Sequence, residues 1–141
     1  MKLKFNDGVN LGLLVLRVGI GLMFVFVHGL PKVVGGVAAW RSLGGAFTRL
    51  IGISFVPAFW GFAAAIAEFG GGLLLVAGIF FRPACALMLF TMMIAIVSIV
   101  RGGYGFNGAT QPFELAIVLA ALFLTGPGKF TLPDFLSRTK S

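Results

Sequence analysis

The sequence predicts an all-α, polytopic membrane protein: a four-transmembrane-helix bundle with a short interfacial helix or loop between helices 1 and 2. Three observations carry that prediction. Of 141 residues, 59% are hydrophobic and only 11% charged, and the mean hydropathy of +1.06 lies far outside the range of an ordinary soluble domain. The apolar residues gather into four runs, each at or near the ~20 residues that cross a hydrocarbon layer about 30 Å thick. None of the runs alternates polar with apolar, and a chain this short cannot close a barrel, so the backbone must satisfy itself within helices. One membrane domain, residues 1–141, is expected.

The first run, residues 9–30, follows the basic stretch MKLKF and ends at Pro31. It is too long for a signal-peptide core and no A-x-A pattern closes it, so it reads as a retained span. The second, third and fourth run over residues 56–81, 83–100 and 112–125. Each carries a proline near its start, Pro57, Pro83 and Pro112, where the missing N–H would have had no partner within the helix. The fourth is short, about 21 Å for fourteen residues, and is expected to extend past both ends before Gly126-Pro127-Gly128 stops it. Between the first two spans, Trp40, Leu43, Phe47, Leu50 and Ile51 recur at helical spacing, which suits a helix lying in the interface. Gly44 and Gly45 interrupt that pattern and keep a folded loop open. The polar tail SRTKS is expected to be mobile.

Charge sets the orientation. The net charge is +7, but the basic residues flank apolar runs instead of forming one stripe, which points to membrane topology and away from nucleic acid. The side holding both termini carries Lys2, Lys4, Arg82, Lys129, Arg138 and Lys140, and the other carries Lys32, Arg41, Arg49 and Arg101. The excess places both termini in the cytoplasm.

Ionisable groups inside a membrane cost about 2.5–3.5 kcal/mol each even on insertion scales, so each needs a partner or a purpose. Arg17 and Glu68 are the two deep ones. Counting 1.5 Å per residue from Val9 and from Val56 puts both about 12 Å from the same edge, and the expectation is a buried ion pair across the first two helices. Gly70, Gly71 and Gly72 beside Glu68 allow a backbone or a ligand to come close. Ala63, Ala67 and Gly71, with Gly8 and Gly12, form small-residue stripes; tight packing around a structural ion pair is the alternative reading of this group. A second polar layer is expected at the opposite face, where His28, Arg101 and Glu114 fall at one depth beside Tyr104, Asn107 and Gln111, and it is the candidate ligand-binding site. Taken singly, these three also suit interfacial anchors and a carboxylate at a helix start.

Other chemistry is excluded by composition. One histidine and one cysteine cannot build a bis-histidine haem site, an iron–sulfur site or a zinc site, so no metal is expected. Cys85 reads as a small packing residue and Met88 with Met92, Met93 and Phe90 as core.

The segments LRVGIGLMFVFVHGLPKV, AEFGGGLLLVAGIFFRPA and FELAIVLAALFLTGPGKFTL together resemble the DoxX family of four-helix bacterial membrane proteins, which includes the membrane subunit of a thiosulfate:quinone oxidoreductase. Phe81 stands where a threonine often precedes the arginine, and Arg101 where a histidine is frequent. The resemblance implies that Arg17, His28, Lys32, Glu68, Gly70, Gly71, Arg82 and Glu114 are motif positions. It further implies a multi-pass protein of the bacterial cytoplasmic membrane, with a quinone as ligand and no covalent or metal cofactor. Electrons would come from a soluble or membrane oxidoreductase partner, catalysis by the isolated chain is not implied, and a homo-oligomer stays open. The alternatives are a transporter-like protein handling small molecules or lipids, and a scaffold for soluble partners, both without redox activity.

Overall fold

The structure, a computed structural model, describes residues 5–53 and 55–138. Lys2, Lys4 and Lys140 of the charge count, and the end of the SRTKS tail, lie outside the described residues. Among those described every regular element is helical: α1 (Phe5–Met23), a π-helical turn (Phe24–Gly29), α2 (Leu30–Val34), α3 (Gly36–Ile51), α4 (Pro57–Ala77), α5 (Phe81–Ile99), a second π-helical turn (Val100–Tyr104), α6 (Gly105–Gly108), α7 (Thr110–Thr125) and α8 (Leu132–Arg138). Three stretches are long and apolar enough to cross a membrane, Asn6–Val34, Pro57–Ala77 and Phe81–Gly108, while Thr110–Thr125 is apolar but shorter. Sixteen residues give α7 about 24 Å.

The chain is an all-α membrane protein, and its surface says so independently. Val15, Phe26, Phe90, Ile117 and Leu124 are all more than half exposed, an arrangement that water would penalise and acyl chains do not. Buried side chains gather instead around Phe24, Leu75, Met88, Met92, Leu119 and Leu122, so Met88 and Met92 are core as expected, and Cys85 is fully buried beside them. Met93 and Phe90, grouped with them in the sequence reading, are exposed.

Two features depart from the expected helix ends. Pro31 does not close the first span. The helix widens to a π turn ahead of it, a change of hydrogen-bond register that absorbs the missing donor, and runs on to Val34 before Gly35 and Gly36 turn it. The segment expected in the interface is one continuous helix, α3, and not a loop. It runs antiparallel along the first half of α4, because a Cβ on Gly44 would overlap the Pro57 carbonyl and one on Gly61 would overlap the Trp40 carbonyl. Glycine at both positions lets the two backbones touch.

The terminal segments meet at one end of the bundle. Lys129 N–H donates to Asn10 Oδ1 at 3.1 Å, and the Arg17 guanidinium donates to the Phe130 carbonyl.

Candidate functional site

The expected Arg17–Glu68 pair is not formed. Both residues are 2% exposed, but they lie at different depths. The register of α1 on α4 is fixed where backbones approach: a Cβ on Gly21 would meet Val76 and the Gly72 carbonyl, and one on Gly29 would lie 2.5 Å from the Phe69 backbone. Arg17 therefore stands beside Gly78, at the end of α4, with Thr131 above it. Glu68 is ten residues back along α4, about 15 Å away by helical rise. The depth estimate fails because α1 does not start at the bundle's edge: from Asn6 to Leu16 it is largely exposed and projects past α4.

Glu68 pairs instead with Lys32. Lys32 Nζ donates to Glu68 Oε2 at 2.5 Å, with 30% of the lysine side chain exposed and 3% of the glutamate's. The π turn carries Lys32 past Pro31 into the bundle, and Trp40 Nε1–H holds its backbone by donating to the Lys32 carbonyl at 2.8 Å. A carboxylate this deep needs such a cation, since an unpaired charge would cost several kcal/mol.

This pair sits on the wall of a cavity of about 740 Å³ between α3, α4 and α5. Its walls are mainly apolar, from Leu43, Phe47, Ala63, Phe90, Ile94 and Ala95. On α5, Leu87 and Phe90 line it while staying exposed, as do Ala39 and Ser42 on α3, so the cavity opens sideways between these two helices. Phe47 and Phe90 face each other edge-on across that opening with ring centroids 6.4 Å apart. Beside the pair, the wall carries a second cation, Arg49 on α3, and the hydroxyl of Ser42. Thr91 Oγ1 donates to the Met88 carbonyl at 2.8 Å, whereas Trp60 Nε1 and Ser98 Oγ are buried with no hydrogen-bond partner among the described residues.

The expected outer layer does not assemble. His28 is half-buried with its ring against Phe24, centroids 5.3 Å apart, while Arg101 and Glu114 are exposed. None of the three lines the cavity, and among the described residues no hydrogen bond or ion pair joins them. Tyr104 reaches the cavity wall but is 76% exposed. Of the glycines, Gly71 packs on Met88 and Gly72 on Gly21, whereas Gly70 faces open space, as do Gly8 and Gly12. Ala63 and Ala67, read as a packing stripe, face the cavity. Arg82 is exposed.

Sequence reasoning missed Lys32 as the partner of Glu68, and missed Trp60 and Ser98. The signal for Lys32 was its place one turn beyond His28 on a helix that continues; for Ser98 it was a lone hydroxyl within an apolar run.

The DoxX family profile matches residues 12–101. A Bacillus subtilis (strain 168) protein named "Putative oxidoreductase CatD" is 30% identical over 135 residues, covering 96% of this chain and 94% of that protein. No solved structure matches the chain significantly.

Proposed function

The chain belongs to the DoxX family, and on that premise we propose that it is the membrane subunit of an oxidoreductase system whose cavity binds a quinone dissolved in the bilayer. The observation that carries the reading is the Lys32–Glu68 pair set into a mainly apolar cavity that opens sideways. A quinone ring needs an apolar slot, a donor for its carbonyl and an exchangeable proton nearby. Lys32, with donors to spare beyond the one given to Glu68, supplies the second, and the ammonium proton shared across the Lys32–Glu68 pair supplies the third. The sideways mouth suits a ligand that arrives through lipid. The name of the B. subtilis relative adds the redox context. With one histidine and one cysteine the chain offers no ligand set for a metal cluster, so the electrons are assigned to a partner protein. The setting is the bacterial cytoplasmic membrane, with both termini inside.

Binding tests this directly. Equilibrium dialysis of 2,3-dimethyl-1,4-naphthoquinone, whose blocked ring carbons do not add amines, against the detergent-solubilised protein should show saturable binding. Lys32→Met and Glu68→Gln should weaken it by about tenfold or more, as expected for loss of a charge-assisted contact. His28→Ala and Glu114→Gln, away from the cavity, should leave it unchanged. Unaltered affinity in Lys32→Met and Glu68→Gln refutes the site. The sideways mouth also favours a second reading, a lipid-handling protein without redox activity. Tight binding of a fatty alcohol with no measurable quinone binding would select it.

A further inference from the structure

Trp60 and Ser98 are the groups that the reading above leaves unused. The indole N–H of Trp60 is a donor and nothing else, and Ser98 carries one rotatable O–H. Both residues line the cavity, and both atoms are buried with no hydrogen-bond partner among the described residues, a condition rare enough among buried polar groups to call for a ligand or ordered water. They also stand at the same level. The antiparallel packing that sets Gly71 against Met88 carries Ser98 on α5 to the height of Gly61 on α4, next to Trp60, and carries Thr91 to the height of Glu68. The cavity thus has two polar tiers, with Lys32 and Glu68 in one and Trp60 and Ser98 in the other. Their α4 positions are eight residues, or about 12 Å, apart along the axis.

Between the tiers the wall is Ala63, Ala64 and Ala67 on α4 against Ile94 and Ala95 on α5. Three methyl side chains within little more than one turn of α4 leave a slot with room for a flat ring. The lower tier donates through Lys32 alone, because Thr91 spends its hydroxyl hydrogen on the Met88 carbonyl.

We propose that Trp60 and Ser98 form a second anchor that donates to an acceptor oxygen opposite the one held by Lys32, so that the cavity selects flat apolar rings bearing two opposed carbonyls. This deepens the quinone reading and rests on it. The second anchor converts a general lipophile slot into one that distinguishes a para-dione from a mono-ketone of the same shape, since an N–H left facing a C–H forfeits its bond.

Two probes and two conservative variants test it. Trp60→Phe keeps the ring and removes the N–H; Ser98→Ala removes only the hydroxyl. In the wild-type protein, 2,3-dimethyl-1,4-naphthoquinone should bind about tenfold tighter than 1-tetralone, which turns its single carbonyl to the charged donor. Trp60→Phe with Ser98→Ala should narrow that preference by weakening the dione while changing 1-tetralone by less than about twofold, and Lys32→Met should weaken both probes. Melting temperatures of Trp60→Phe, Ser98→Ala and their combination within a few degrees of wild type establish that the slot is intact. If the dione binds the double variant as it binds the wild type, the second anchor is wrong while the quinone reading stands. If the dione does not bind the wild type at all, both are wrong.

Discussion

Lys32 keeps 30% of its side chain exposed and Glu68 keeps 3%, and that difference sets what each substitution costs. Lys32→Met strands a carboxylate in an apolar wall, which should cost about 3–5 kcal/mol of stability, the usual penalty for breaking a buried pair. Glu68→Gln leaves an amide that still accepts from Lys32, and the ammonium can turn toward its exposed side, so the cost should be less than half as large. Replacing both, Lys32→Met with Glu68→Leu, should recover most of the loss, because packed apolar groups stand in for a buried pair at little cost. Thermal unfolding in detergent reads all three, and equal costs for the two single variants would contradict the burial asymmetry. Glu68 was legible in the sequence as a group that must find a cation, because any carboxylate so deep in an apolar run must. Its partner was not. Depth counted from helix ends assumes that each helix begins at the bundle's edge, and the exposed turns of α1 from Asn6 to Leu16 break that assumption, while Pro31 hid Lys32 by looking like a stop.

The α3–α4 hairpin depends on two glycines, and the triple-glycine run beside Glu68 provides the contrast. Gly44→Ala and Gly61→Ala would each drive a methyl group into a backbone carbonyl of the other helix, and backbone cannot yield as a flexible side chain does. Each should destabilise by about 1–3 kcal/mol and, by prising α3 from α4, should widen the cavity and weaken ligand binding there. Gly70→Ala faces open space within a helix and should be neutral or stabilising by up to about 1 kcal/mol. Melting temperatures of the three variants give the order; a Gly70→Ala loss as large as that of Gly44→Ala would refute it. Apolar periodicity made the helices themselves readable, α3 included, but Gly44 and Gly45 looked like interruptions. A glycine that breaks an isolated helix and one that admits a second backbone are identical in sequence, and only the contact with Pro57 and Gly61 separates them.

Arg17 ties the two terminal segments into one end of the molecule, and this gives the topology a test that a charge count alone lacks. Its guanidinium is buried, donates to the Phe130 carbonyl, and lies beside Gly78 at the C-terminal end of α4, where unpaired carbonyls make a cation favourable. Asn10 and Lys129 close the same joint. Arg17→Leu should therefore loosen residues 126–131 and hasten tryptic cleavage after Lys129, which is already exposed, without altering the cavity two turns or more away. The same geometry fixes which surface residues share a side. Because Cys85 is fully buried, single cysteines placed elsewhere report on their own. Asp7→Cys and Ser137→Cys, both exposed near the joint, should react alike with a membrane-impermeant maleimide, and Phe55→Cys and Asn107→Cys, exposed at the far end, should react alike and opposite to the first two. If the excess of Lys and Arg on the terminal side sets the orientation, the far-end pair should label in intact spheroplasts and the joint pair should stay silent until the membrane is opened. Labelling of Asp7→Cys and Ser137→Cys from opposite sides would contradict the Arg17 joint itself, since one end of a bundle cannot face both solvents. Labelling of both from outside would keep the joint and reverse the orientation, showing that a margin of six basic residues against four does not decide the insertion of this chain.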